Sequence, residues 1–311
     1  MAFGLKHLLG LEGVSRDDIE AILNTGDSFR EVLERPIKKV PTLRGVTVVN
    51  LFYEPSTRTR LSFELAEKRL SADLLNFSTS GSSVTKGETF KDTVRNIEAM
   101  KIDMIVMRHD CSGAPQFLTE FSPSQVINAG DGCHEHPTQA LLDMLSIRQR
   151  YGKLDGLRVV IVGDILHSRV ARSNIWGLKT MGASVAVCGP TTLLPVEIEK
   201  MGIDVYIDIN KAIDGADVVN VLRLQLERQQ SGLLPSLREY TNLFGITRER
   251  LRLLNKNYTI LHPGPINRGV EISSEVADAD DSVILDQVTN GVAIRMAVLY
   301  LIKGGGSKED E

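Results

Sequence analysis

Ser56-Thr57-Arg58-Thr59-Arg60 places two cations and three hydroxyls just behind an apolar stretch, residues 46–51. Those residue types in one turn can cradle a phosphate: hydroxyls and main-chain amides donate hydrogen bonds, and guanidinium groups add charge and paired donors. Pro55 ends the apolar strand, and Ser56 or Thr57 can cap a helix running through Leu61, Leu65, Ala66 and Leu70. The free amides at such a helix start, together with the positive end of its dipole, favour an anion. Arg58 and Arg60 lie two positions apart and cannot face the same way on a helix, so one is expected to reach the ligand and the other to brace the structure. The plain alternative is an ordinary capped helix with solvated arginines.

Further polar clusters fall where strands should end, which is where ligands bind in open α/β sheets. Met107-Arg108-His109 closes one apolar run, Gly130-Asp131-Gly132-Cys133-His134-Glu135-His136-Pro137-Thr138-Gln139 follows another, and Arg223 and Gln225 follow a third. Each has a bland reading as well, Arg108 as a surface charge and a lone histidine as a structural one. Cys133, His134 and His136 hint at a metal, but no second ligand cluster accompanies them, so none is expected. The turn Gly163-Asp164-Ile165-Leu166-His167-Ser168 has the setting of a nucleotide-binding turn without its glycine spacing, and no Walker-type stretch occurs. Dinucleotide-linked and ATP-driven chemistry are therefore disfavoured.

The elements that must position these residues alternate. Ser15-Arg16-Asp17-Asp18 opens a helix whose Ile19, Ile22, Leu23, Phe29, Val32 and Leu33 approximate one face. Strands over 46–51, 74–77, 104–107 and 125–127, with helices from Thr57 and over 89–100, make a βαβα pattern and hence a parallel sheet covered by helices. A helix from Pro137, apolar at Ala140, Leu141, Met144, Leu145 and Ile147, reads as a bridge between domains. A second unit begins at 157–164, with strands over 184–187, 205–207, 218–222 and 258–261 and a last helix after Gly291. Residues 229–247, rich in polar residues and turns, read as a moving loop.

The chain is thus expected to be α/β with two domains, each a parallel sheet covered by helices, joined by interdomain helices. The first domain is placed at 1–136, an interdomain helix at 137–150, the second domain at 151–288, a helix returning to the first domain at 289–303 and a flexible acidic tail at 304–311. A length of 311 residues exceeds what one core usually serves, which agrees with two domains. Hydrophobic residues at 42% and charged residues at 24% are ordinary for a soluble protein. There is neither a basic segment leading into an apolar run nor an apolar stretch of about eighteen residues, so export and membrane spanning are not expected and the cytoplasm is. A net charge of −4 argues against a nucleic-acid surface, so any cationic site must be local. Cys111, Cys133 and Cys188 are scattered and fit reduced thiols.

Ser56-Thr57-Arg58-Thr59-Arg60, Val106-Met107-Arg108-His109, His136-Pro137-Thr138-Gln139 and His262-Pro263-Gly264-Pro265 resemble, in order and spacing, the motifs of the transcarbamoylase family. An intervening Ser82-Ser83-Val84-Thr85-Lys86-Gly87-Glu88 strengthens the likeness, which covers essentially the whole chain. Within the family, Lys86-Gly87-Glu88 and Arg223-Leu224-Gln225-Leu226-Glu227-Arg228 are similar to the members that use aspartate. Ornithine-using members typically carry a Cys in a His-Cys-Leu-Pro stretch and a Ser-Met-Gly loop; this chain has Pro263 in the first place and lacks the second.

The resemblance implies carbamoyl transfer from carbamoyl phosphate to the amine of L-aspartate, an early step of pyrimidine (UMP) synthesis, with no cofactor, no metal and no covalent enzyme intermediate. It implies that Ser56, Thr57, Arg58, Thr59 and Arg108 hold the phosphate and that His136 and Thr59 hydrogen-bond the carbamoyl oxygen. Gln139 and the main-chain carbonyls of Pro263-Gly264-Pro265 would take the carbamoyl amine, and Arg169 and Arg223, helped by Gln225 and Lys86, the aspartate carboxylates. Arg58, Thr59, Arg108 and His136 would be the catalytic set, with His136 a neutral donor rather than a base, because neighbouring arginines disfavour imidazolium. The resemblance further implies a homotrimer in which Ser82 and Lys86 serve the neighbouring chain's site, and closure of the domains around aspartate. It leaves open a regulatory chain or a dihydroorotase partner.

Two positions depart from the pattern: Gly264 stands where relatives usually carry a larger apolar residue, so a looser turn is expected, and Val170 stands where some offer a hydroxyl. The alternatives are a carbamoyltransferase acting on another amine such as L-ornithine, and a non-catalytic scaffold paralogue. Retention of a cluster of mutually repelling arginines weighs against the scaffold.

Overall fold

The computed structural model describes residues 3–78, 88–225 and 232–304. The chain forms two compact units, residues 1–145 with 289–311 and residues 146–288.

The first unit opens with α1 (Arg16–Glu34), capped by Ser15, whose hydroxyl accepts from the Asp18 amide; Ile19, Ile22, Leu23, Phe29, Val32 and Leu33 are its buried face. There follow β1 (Thr47–Phe52), α2 (Thr57–Leu70), β2 (Asp73–Ser78), α3 (Phe90–Glu98), β3 (Met104–His109), α4 (Ala114–Thr119), β4 (Gln125–Asp131) and α5 (Pro137–Tyr151). The strands pair in the order β2-β1-β3-β4, all parallel. β1, β3 and β4 are buried almost throughout and read as continuous apolar runs rather than alternating ones, as strands covered on both faces do.

The second unit contains β5 (Arg158–Val162), α6 (Arg169–Thr180), β6 (Ser184–Cys188), β7 (Asp204–Tyr206), α7 (Ile209–Ile213), β8 (Val218–Val221), α8 (Leu237–Phe244), β9 (Thr259–Leu261) and α9 (Ser274–Ala277). Its strands pair in the order β7-β6-β5-β8-β9, again all parallel. α10 (Ile284–Ile302) closes the described chain. The boundaries between the units fall inside α5 and α10.

Among the departures from expectation, three have a plain physical reason. α10 begins seven residues before Gly291, at Ile284; Asp286, Gln287, Thr289 and Asn290 on its first turns interrupt the apolar run that marks its buried middle. α8 occupies part of the stretch read as a loop; Ser236 caps it through the Glu239 amide, and Tyr240 and Phe244, one helical turn apart, bury its inner face. α4 has an apolar footprint of only Pro115 and Leu118, too short to announce a period.

α2 carries the Ser56–Arg60 motif at its start, and polar groups hold it. Asn50 of β1 donates to Glu67 at 2.9 Å, and Arg295 of α10 donates to Ser62 at 2.8 Å. Burial pushes the Glu67 carboxyl up to about 8, against the opposing pull of the Asn50 hydrogen bond. The folded chain therefore keeps this proton where the unfolded chain has released it, and Glu67 subtracts from stability as pH rises from about 4.5 to about 8. Glu67→Gln keeps an acceptor for Asn50 and removes the titration. Its thermal midpoint should match wild type near pH 5 and exceed it near pH 8 by about 2–4 °C or more. A midpoint difference that does not change with pH would contradict a buried, titrating carboxyl.

Candidate functional site

The sheet order defines where a site can form. In the first unit, β2 lies on one side of β1 and β3 on the other, so the chain leaves neighbouring strands in opposite directions at the β1–β3 boundary. A crevice opens at the carboxyl ends of two such strands. The Ser56–Arg60 turn follows β1, and Arg108 closes β3 in register with Phe52.

Ser56 takes extended backbone geometry and caps α2, its hydroxyl accepting from the Thr59 amide at 3.4 Å; Thr59 is buried, Thr57 and Arg58 are exposed. Arg60 forms an ion pair with Glu64 at 3.4 Å, one turn along the helix. Arg108 is buried and its guanidinium is aimed by two acceptors: Nη1 donates to the Ala129 carbonyl of β4 at 3.1 Å and Nη2 to Glu54 at 3.3 Å. Tyr53 donates its amide to the Arg108 carbonyl at 2.8 Å and packs its ring 4.9 Å from His109, which keeps the two strand ends together.

His136 and Gln139 enter from the start of α5 and are both buried. The His136 carbonyl accepts from the Gln139 amide at 3.0 Å, and Gln139 donates its side-chain amide to Asp143 at 2.9 Å, leaving the Gln139 carbonyl oxygen as the group of opposite polarity. The loop before α5 is organised by Asp131. Its Oδ1 accepts from Asn128 at 2.7 Å and from the Glu135 amide at 3.1 Å; its Oδ2 accepts from the Gly113 amide at 2.7 Å and lies 3.0 Å from His134 Nδ1. Gly132 has a φ of +45° and its missing Cβ would come within 2.7 Å of the Ser112 amide, so no other residue fits this turn. Glu135 is buried and accepts from the Leu11 amide at 3.0 Å and the Glu12 amide at 3.1 Å. Asp131, Glu135 and Glu54 escape sequence reading because acidic residues beside a cationic motif look like solvated charge; the burial of the first two and the contact of Glu54 with Arg108 show them as acceptors.

The second unit repeats the logic. β6 and β8 flank β5 on opposite sides, so the β5–β8 boundary is its crevice. Arg169 is the first residue of α6, buried, behind the Ser168 cap that accepts from the Ala171 amide at 3.1 Å. Arg223 and Gln225 follow β8 and are half-buried; Gln225 donates to the His167 carbonyl at 3.2 Å, and Asp164, fully buried, holds His167 Nδ1 at 2.9 Å. Val162 and Val221 are register partners, so the loops carrying Arg169 and Arg223 leave adjacent strand ends.

After β9, Gly264 takes a φ of +60°, where glycine carries the least strain, and its amide donates to His262 Nδ1 at 2.8 Å. The turn expected to be loose is thus tied at Gly264. Ser82 and Lys86 lie outside the described residues. Among the described residues no helix is long and apolar enough to cross a membrane.

Two parallel α/β sheets with arginines at the strand ends beside their switch points define an α/β protein of the class whose ligands sit at such strand ends. The carbamoyl-P binding domain of the aspartate/ornithine carbamoyltransferases matches residues 6–149, and their Asp/Orn binding domain matches residues 155–302. The chain belongs to the aspartate/ornithine carbamoyltransferase family. It is 64% identical over 300 residues to the aspartate carbamoyltransferase catalytic subunit of Gemmatimonas aurantiaca, covering 96% of this chain and 94% of that one. An aspartate transcarbamoylase from Trypanosoma cruzi, solved in complex with carbamoyl phosphate and aspartate, is similar with a TM-score of 0.85 and 30% identity, covering 96% of this chain and 97% of that one. The ornithine carbamoyltransferase of Pyrococcus furiosus is similar with a TM-score of 0.86 and 28% identity, covering 98% and 99%.

The geometry of the α5 loop predicts a stability effect. Asp131→Ala leaves the Gly113 and Glu135 main-chain donors without their side-chain acceptor and removes one of the acceptors of the Asn128 amide, and should cost about 3 kcal/mol or more in urea unfolding. Asp131→Asn, which keeps one acceptor oxygen, should lose less; equal losses would mean that volume rather than hydrogen bonding sets the cost.

Proposed function

We infer that the chain transfers the carbamoyl group of carbamoyl phosphate to the amine of L-aspartate, giving N-carbamoyl-L-aspartate and phosphate. The observation that carries the choice of amine is the likeness to the Gemmatimonas chain, since the fold is shared about equally with an ornithine enzyme. The aspartate nitrogen attacks the carbamoyl carbon, the carbon–oxygen bond to phosphate breaks, the bond electrons leave with the phosphate, and the proton lost by the nitrogen passes to that departing phosphate.

In this reading Ser56, Thr57, Arg58, Thr59 and Arg108 bind the phosphate, and His136 with Thr59 donates to the carbamoyl oxygen. The Gln139 carbonyl and the carbonyls of Pro263, Gly264 and Pro265 accept from the carbamoyl amine. Arg169 and Arg223 bind the aspartate carboxylates, with Gln225 and, from a neighbouring chain, Ser82 and Lys86. Support comes from the capped turn behind β1, the aimed guanidinium of Arg108 and the buried Arg169 at a second switch point. Negative charge grows on the carbamoyl oxygen and on the departing phosphate as the bond forms, so donors already oriented lower that barrier without reorganising. Bringing both reactants into line contributes through orientation. The enzyme works as a homotrimer, a reading that rests on the family resemblance around Lys86, and in the cytoplasm, a reading that rests on the sequence's lack of an export or membrane-spanning signal.

The purified chain, given carbamoyl phosphate with L-aspartate or L-ornithine, should form a ureido product with aspartate alone; ornithine turnover would move the assignment to the other branch, and no product would favour a scaffold. Arg58→Ala should lower turnover by about 10²- to 10³-fold while changing half-saturation by aspartate far less. Equal losses in both would contradict its place at the phosphate.

Shared sites make a separate prediction. Mixing inactive Arg58→Ala chains with inactive Lys86→Ala chains should restore activity, because some neighbouring pairs then combine two intact halves. Absence of recovery after subunit exchange would argue for self-contained sites.

A further inference from the structure

The segment that carries the proposed acceptors for the carbamoyl amine is poorly equipped to hold itself. Pro263 and Pro265 lack amide hydrogens, so the turn after β9 cannot be locked by a ladder of its own. It is held by side chains instead. The His262 amide donates to Gln287 at 3.0 Å, the Gly264 amide donates to His262 Nδ1 at 2.8 Å, and His262 Nε2 lies 3.1 Å from Glu271 Oε1. The same carboxylate oxygen accepts from the Asn267 amide at 2.6 Å.

These bonds settle the ring's tautomer. Nδ1 accepts from Gly264, so it carries a lone pair, and Nε2 carries the hydrogen that Glu271 receives. Glu271 therefore reaches the turn at both ends, through His262 to Gly264 and directly to Asn267. Its own support is rigid: its carbonyl accepts from the Ile246 amide at 2.9 Å, and Ile246 and Ile272 form a parallel bridge inside the hydrophobic core. The side chains of His262 and Glu271 are both fully buried, and Glu271 Oε2 has no hydrogen-bond partner among the described residues. A buried carboxylate with one oxygen unsatisfied is a costly way to fill space, which calls for a role beyond packing.

We propose that Glu271 is a positioning residue for the carbamoyl amine: through His262 and Asn267 it fixes the Pro263–Pro265 backbone whose carbonyls distinguish an amine from a methyl group on the bound acyl phosphate. This rests on the carbamoyl phosphate reading above and deepens it. Acetyl phosphate is the informative probe, because it offers the same phosphate and carbonyl oxygen but has a methyl group in place of the amine. Acceptors held in place are left unpaired by the methyl group and discriminate against it; acceptors free to turn away do not.

The experiment is calorimetric titration of the full chain with carbamoyl phosphate, acetyl phosphate and inorganic phosphate. Wild type should prefer carbamoyl over acetyl phosphate by about tenfold or more. In Glu271→Leu that ratio should collapse to about twofold or less while inorganic phosphate binds as before. Glu271→Gln keeps an acceptor for His262 and Asn267 and should keep the ratio. Should Glu271→Leu not fold, Glu271→Asp, which withdraws the oxygen by one methylene, should show the same collapse. A wild-type ratio in the Leu or Asp variant, or equal weakening of all three ligands, overturns the positioning role. No preference in wild type would instead sink the carbamoyl phosphate assignment of the turn, and the inference with it.

Discussion

Parallel pairing that grows outward in both directions from a first strand is the constraint on which the rest of this structure depends. β1 has β2 on one side and β3 on the other, and β5 has β6 and β8. A parallel sheet brings every carboxyl end to one edge, and a reversal of winding direction keeps the loops there from closing over each other. The Ser56–Arg60 turn proposed to bind phosphate, Arg108, Arg169 and Arg223 all leave strands that border one of these two reversals. The apolar composition of the strands is what makes this possible, since sheets buried on both faces tolerate few polar residues until the chain leaves the strand.

The cations that result are a problem as well as a resource in a chain of net charge −4. Gathering guanidinium groups costs repulsion and desolvation, and the fold offsets it with buried acceptors placed one layer behind. Glu54 and the Ala129 carbonyl aim Arg108, Asp131 gathers the donors of the loop that leads to His136, and Asp164 holds His167 next to the start of α6. None of these acids is proposed to touch a substrate. Their effect is to leave the donors proposed to do so with few alternative directions, which is the form of preorganisation that favours a transition state over a ground state.

α2 shows how such support reaches a site from within its own unit. Its first turn carries residues proposed to bind phosphate, while its later turns are held by Asn50 on β1 and by Arg295 on α10, more than two hundred residues away in sequence at Ser62. Glu67 pays part of the cost, buried with its carboxyl pushed up to about 8. A helix anchored in this way presents its N-terminal amides as a fixed donor set rather than a fraying end.

Much of this was legible in the residue order. The caps at Ser15 and Ser56, the strand runs and the start of α5 at Pro137 follow from local chemistry, because a cap, a proline or an apolar run acts within a few residues of itself. The motifs at Arg58, Arg108, His136 and His262 were visible for the same reason, as was the βα alternation that makes the sheets parallel. α4 and α8 were not, since the first is too short to show a period and the second sits among polar residues with its buried face reduced to Tyr240 and Phe244. What only the tertiary structure decided is which strand ends become neighbours and which acids become acceptors. Strand order sets the first, and burial sets the second: Asp131, Glu135 and Glu271 are chemically indistinguishable in sequence from solvated carboxylates until long-range packing removes their water and leaves main-chain and side-chain donors as their partners.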